Sequence, residues 1–194
     1  MARISPEEAG GGDAVAGKNV CAFLDMLAYS EGTAGKGDDG YNVIVGGSLF
    51  TDYSQHPDKL IYLPKIGVSS TAAGRGQIIV ETWRPVQRDL KLPDFGPLSQ
   101  DRAIIELIRQ RGALDAVKNG FLEQAMTLCE KEWASLPGAG YGQPEQKQAV
   151  LVAAYTRAGG VDSQIDLNNL FDGLKWSARL AYQFVMGGGL VRSP

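Results

Sequence analysis

The chain has 194 residues, 44% apolar and 21% charged, which suits one packed domain and excludes a disordered or fibrous chain. Its 22 acidic and 19 basic residues leave a formal charge of -3, so there is no basic face to argue for nucleic acid. No stretch approaches the roughly 20 apolar residues that a membrane span needs, which argues against membrane insertion.

The first residues carry Glu7, Glu8 and Asp13 and no apolar segment, so they do not read as a secretory signal, and synthesis in the cytoplasm is expected. Residues 1–18, rich in Gly, Ala and acid, read as a flexible N-terminal arm. Asn19 is the expected N-cap of a first helix, in which Val20, Phe23, Leu24 and Leu27 recur on one face until Gly32 stops it. After a glycine-rich loop over 33–40, the β-prone runs 41–45 and 48–51 flank Gly46 and Gly47 and predict a hairpin. Residues 54–74 look irregular. A helix is expected over 75–90, broken or begun near Pro85, and a clearer one over 99–111, with Ala103, Ile104, Leu107 and Ile108 on one side. Short helices follow over 114–118 and 121–134, then a Gly- and Pro-containing loop over 136–143. Pro144 can open a helix reaching Ala158, and a last helical stretch is expected near 170–185. A mainly helical chain with one small antiparallel sheet is of the α+β class.

Glu31 is the residue with the strongest case for chemistry. It lies four residues after Leu27, so it continues the apolar stripe toward the buried side, and it ends the helix. Desolvation and the carbonyl end of the helix dipole both disfavour its charged form, as a general acid requires. By spacing alone, a solvated glutamate at a frayed helix end remains open. Metal chemistry is disfavoured: His56 is the sole histidine, best read as a turn residue before Pro57, and no short ligand spacing joins it to Cys21 or Cys129. The two cysteines read as small buried hydrophobes rather than a disulfide or a nucleophile. The segment 71–77, TAAGRGQ, lacks the Lys-Ser/Thr of a phosphate loop, and its polar side chains suit a sugar cleft as well. In 136–143, LPGAGYGQ, glycines allow close backbone approach and Tyr141 offers an apolar face and a hydroxyl; an ordinary interhelical loop is the alternative.

Several ordered blocks together resemble the lambda-type phage lysozymes, which are lytic transglycosylases: CAFLDMLAYSEGT at 21–33, VIVGG at 43–47 with LFTDYS at 49–54, and ASLPGAGYGQ at 134–143. Weaker support comes from 99–101 and 111–114. The resemblance implies a lysozyme-like catalytic domain over 19–160, with a helical lobe, a small sheet lobe and a cleft between them. Residues 161–194 are left as a C-terminal extension, helical and without an assigned role. It places the catalytic glutamate on Glu31 and implies Tyr41, Ser70, Thr71, Gln77, Tyr141 and Gln143 as substrate-binding residues, with no metal and no cofactor. The implied substrate is the glycan strand of peptidoglycan. Glu31 would protonate the leaving oxygen of the N-acetylmuramic acid–N-acetylglucosamine bond, then deprotonate the muramoyl 6-hydroxyl to close a 1,6-anhydro ring. The implied protein is a monomer, made in the host cytoplasm and reaching the periplasmic wall through a holin-like pore. Two positions depart from the family pattern: Gly76 stands where an aromatic residue often precedes Gln77, and Asn42 where an acid often follows Tyr41. The rivals are a hydrolytic muramidase with Asp52 as base, ahead of Asp38 and Asp39, and a non-catalytic wall-binding or virion structural protein on the same fold.

Overall fold

The structure, a computed structural model, describes residues 1–140 and 145–163. The helices are α1 (Pro6–Gly10), α2 (Ala14–Ser30), α3 (Val80–Leu90), α4 (Pro97–Gln110), α5 (Leu114–Lys118), α6 (Leu122–Cys129) and α7 (Gln148–Arg157), and one small sheet pairs β1 (Ile61–Leu63) with β2 (Val68–Ser70). Helix α2 is central, packing against α1, α4, α5 and α7. Its stripe Val20, Phe23, Leu24 and Leu27 is wholly buried, and neighbouring Ala22 and Met26 are as well. That burial on several sides holds α2 far more firmly than helix propensity would.

The N-terminal segment corrects the expected flexible arm. Ser5 accepts the Glu8 N–H at the start of α1, Pro6 occupies its first turn, and Ile4 and Ala9 are buried. Gly17 belongs to the contact between α1 and α2: a Cβ there would lie 1.7 Å from the Pro6 carbonyl oxygen. The true N-cap of α2 is Asp13, which accepts from Val15 and Ala16 N–H. Asn19 sits inside the helix instead. Its amide donates to Lys118 O and accepts from Val161 N–H, so tertiary partners took a residue that local pattern assigns to a cap.

The sheet also differs from expectation. Within 41–51 one bridge forms, Val43 to Leu49, around Gly46 and Gly47 at φ 88° and 95°, while Ile44 bridges outward to Ala73. The Asn42 amide group interrupts further pairing by bonding Phe50 O and Asp38 N–H. The true ladder lies in the stretch expected to be irregular, with Ile61 opposite Ser70 and Leu63 opposite Val68. Three residues per strand are too few for alternation to stand out.

Helix α3 starts at Val80, five residues later than expected, because 73–78 fold back in a bridge between Ala73 and Ile78. Helix α6 ends at Cys129, short of the expected 134, and Trp133 then turns inward to donate its indole N–H to Gly76 O. Both cysteines are free thiols, Cys129 buried and Cys21 half-buried. The loop end 141–144 and the expected helix near 170–185 lie outside the described residues.

Candidate active site

Glu31 caps α2 with helical backbone angles, and its N–H still bonds to Leu27 O at 2.9 Å. The side chain is half-buried. Burial pushes its carboxyl up from 4.5 to about 7, and a donated bond from Ser135 partly opposes this. Among the described residues no other charged group contributes to the displacement. Ser135 Oγ lies 2.7 Å from Glu31 Oε1 and 2.7 Å from Ser30 Oγ, so two hydroxyls back the carboxyl. A carboxyl balanced near neutrality can hold a proton and give it up within one reaction cycle.

The loop beyond Glu31 is anchored rather than loose. Thr33 is buried, and its hydroxyl lies 2.7 Å from Arg75 O and 3.1 Å from Ala28 O. Arg75, 2% exposed, pairs with Asp25 of α2 at 2.8 Å and donates from Nε to Asp39 O. Its N–H goes to Gln100 Oε1, while the Gln100 amide donates to Tyr41 O and Phe95 O. Gly74 is required beside it: φ is 79°, and a Cβ would lie 2.3 Å from Gln100 Oε1.

The residues put forward from the sequence divide on this geometry. Gln77 is half-buried at φ 48°, with its amide bonded to Gly74 O and Val43 O, and it opens on a cavity of about 410 Å³ shared with Gly76, Thr82, Gln110 and Trp133. Ser70, half-buried at the end of β2, accepts the Ala72 N–H. Two others are corrected. Tyr41 is fully buried, with its hydroxyl donating to Asp101, so it braces the core and presents no face to a sugar. Thr71 is also buried; its hydroxyl oxygen accepts the Val80 N–H and so caps α3 from a distance, and it lies 3.4 Å from Glu81 Oε2. Tyr141 and Gln143 lie outside the described residues.

Three further acids are candidates for a second carboxyl group. Asp38 pairs with Arg3 and accepts from the Tyr53 hydroxyl, and Asp39 binds the Met1 ammonium and the Gly35 N–H. Asp52 is exposed, and its bond from Ser54 N–H holds it below the usual carboxylate range. His56 is buried against Phe95, their rings 4.6 Å apart, with Nε2 at 3.0 Å from Ile78 O. Among the described residues, no group of three or more His, Cys, Asp and Glu side chains is gathered as a metal site. Ser135 is the functional neighbour that spacing missed. It stands 104 residues from Glu31, within the family-like block 134–143 but just before the loop 136–143 considered for ligand contact.

A family model described as Endolysin matches residues 21–162. The endolysin of Escherichia phage lambda is 50% identical over 151 residues, covering 75% of this chain and 94% of that protein. The endolysin of Escherichia phage P2 is 49% identical over 156 residues, with 74% and 94% covered. The solved structure of bacteriophage lambda lysozyme complexed with a chitohexasaccharide superposes with a TM-score of 0.71 at 48% identity, over 74% of this chain and 96% of that one. A further structure of lysozyme from bacteriophage lambda gives a TM-score of 0.68 at the same identity. A helical body, a two-stranded sheet and about half of all residues shared over nearly the full length of two phage endolysins place this chain in the endolysin family, the peptidoglycan-degrading phage lysozymes of lambda type.

Proposed function

We propose that this endolysin is a lytic transglycosylase in which Glu31 acts first as acid and then as base. The observation that carries the reading is a half-buried carboxyl, held at Oε1 by the Ser135 hydroxyl and displaced to about 7 by burial, with no second charged group among the described residues taking part. In the protonated form Glu31 gives its proton to the oxygen of the β-1,4 bond between N-acetylmuramic acid and N-acetylglucosamine. The carboxylate left behind takes the proton of the muramoyl 6-hydroxyl as that oxygen attacks the anomeric carbon. The glycosidic bond breaks, a 1,6-anhydro ring closes and Glu31 returns to its acid form. The attacking hydroxyl is tethered to the reacting ring, so its approach costs little translational entropy.

The lambda lysozyme bound to a chitohexasaccharide supports a glycan strand as the ligand here. Gln77 and Ser70 remain the described residues proposed along that strand, and Tyr141 and Gln143 are proposed with them on the resemblance alone. Among the described residues no helix is long and apolar enough to cross a membrane. On the resemblance alone, we also propose passage to the periplasm through a separate holin-like pore and a monomeric enzyme. The test is Glu31→Gln, with mass spectrometry of digested wall from the parent enzyme. The amide cannot carry the proton, so turnover should fall about 10²–10⁴-fold with the fold retained. The parent digest should end in anhydro-muramic residues, one water lighter than hydrolytic ends. Near-parental lysis by the variant overturns the role of Glu31; reducing ends overturn the transglycosylase reading.

A further inference from the structure

The hydroxyl that meets Glu31 is mounted with unusual firmness. The Ser135 carbonyl accepts the Gln146 N–H at 2.9 Å and lies 3.2 Å from the Ser30 hydroxyl. Beside it Leu136 is fully buried and donates its N–H to Trp133 O, while the Trp133 indole is tied to Gly76 O. Ser30, on the last turn of α2, lies 2.7 Å from Ser135 Oγ. The Ser135 side chain thus has little freedom, and it engages one particular oxygen of Glu31, Oε1.

We propose that Ser135 is a positioning residue for Glu31: by holding Oε1 with a donated hydrogen bond, it reserves Oε2 for the proton that the reaction moves. The inference rests on the reading of Glu31 as acid and base. A hydroxyl donor suits both states of the carboxyl. In the acid form the proton sits on Oε2, and Oε1 is the carbonyl-like acceptor. As the proton leaves for the glycosidic oxygen, negative charge spreads onto Oε1 and the bond from Ser135 becomes charge-assisted, hence shorter and stronger. The contact therefore gains as the transition state forms, which is the condition for a contact to speed the chemical step. The proton from the sugar's 6-hydroxyl returns to Oε2, and Ser135 keeps its own proton throughout. Ser30, when it donates to Ser135 Oγ, polarises that hydroxyl and strengthens its hold on the carboxylate.

A purely structural tie between the end of α2 and the turn at 134–136 makes a different prediction: lost stability with an unchanged pH profile. The experiment compares Ser135→Ala, Ser135→Thr, Ser30→Ala and Glu31→Gln with the parent, measuring kcat and KM against pH on soluble glycan strands. Ser135→Ala should lower kcat roughly tenfold below about pH 6, with KM within about twofold. Its alkaline limb should move up by about one pH unit, because the charged carboxyl has lost its donor. Ser135→Thr keeps the hydroxyl and should restore both readings, and Ser30→Ala should move the limb the same way by less. An unmoved limb in Ser135→Ala, or threonine behaving like alanine, overturns the proposal. If Ser135→Ala folds poorly, an unmoved limb in Ser30→Ala overturns it from the helix side. An active Glu31→Gln refutes the reading of Glu31 itself, whereas an inactive one with unmoved limbs refutes only the assignment of Ser135.

Discussion

Glu31→Gln tests the physical basis of the acid independently of catalysis, through stability at two pH values. Burial moves the carboxyl from 4.5 to about 7. At about 1.4 kcal/mol per tenfold change, the folded state holds roughly 3 kcal/mol against the charged form, and the solvent-facing part of the side chain reduces this to about 2 kcal/mol. The sign follows from linkage. Below about pH 4.5 Glu31 is neutral in both folded and unfolded chains, and no penalty exists. Between 4.5 and about 7 the unfolded chain releases a proton that the folded one keeps, so stability falls as pH rises. Above about 7 the full penalty is present. Glutamine carries no charge at any pH and escapes it. The variant should therefore match the parent near pH 4 and exceed it by about 2 kcal/mol above pH 8, a rise of roughly 4–8 °C in Tm for a chain of this size. Thermal melts of both proteins in matched buffers give the comparison. A Tm difference that is constant with pH would mean that Glu31 is an ordinary solvated acid, and the case for it as proton donor would lose its footing.

Two further substitutions probe the residues that the structure takes out of the cleft. Thr71→Val removes the remote cap on Val80 N–H and should cost about 1 kcal/mol in denaturant unfolding, with activity per folded molecule retained. Asp101→Ala strands the Ile4 N–H and the Tyr41 hydroxyl proton and leaves the Arg3 N–H only the Tyr41 oxygen as acceptor; a loss of about 3 kcal/mol or more is expected, with early proteolysis of the segment before α1. If that segment stays protected, its attachment does not depend on Asp101.

What could be read ahead of the structure was what depends on near neighbours. The stripe from Val20 to Leu27 repeats with the helical period, and Glu31 falls on its continuation at the helix end, so both burial and cap position followed. Several of the errors come from distant partners. Asn19 and Asp13 are equally good cap residues by type; the choice was made by Lys118 and Val161, 99 and 142 residues from Asn19. Tyr41 heads a β-prone run after a glycine-rich loop, and the resemblance offered it to a sugar, yet Asp101, 60 residues on, draws its hydroxyl into the core. Gly17 counted toward flexibility in a composition reading, whereas it is the point where α1 and α2 touch. Ser135 belongs to the same class: nothing local marks it as the neighbour of an acid.

Asp52 separates proton transfer by one carboxyl from proton transfer by two. Hydrolysis would need a second carboxylate to orient and activate water, and Asp52 is the acid that sequence motif puts forward. It sits on an exposed loop, where the Ser54 N–H stabilises its charged form and holds its carboxyl below the usual carboxylate range. The hydrogen bonds from Ser54 outweigh the desolvation there, and accepting a hydrogen bond while charged makes a carboxylate a weaker base. Asparagine can still accept the Ser54 N–H through its amide oxygen, so Asp52→Asn should fold normally. If the substrate's own 6-hydroxyl attacks, this variant should turn over within about threefold of the parent and yield the same anhydro ends, with an alkaline limb still set by Glu31. If Asp52 is the base for a water molecule, the variant should lose about 10²–10⁴-fold and the parent digest should carry reducing muramic ends. The two outcomes differ in both rate and product mass, so one digest of each protein decides between them.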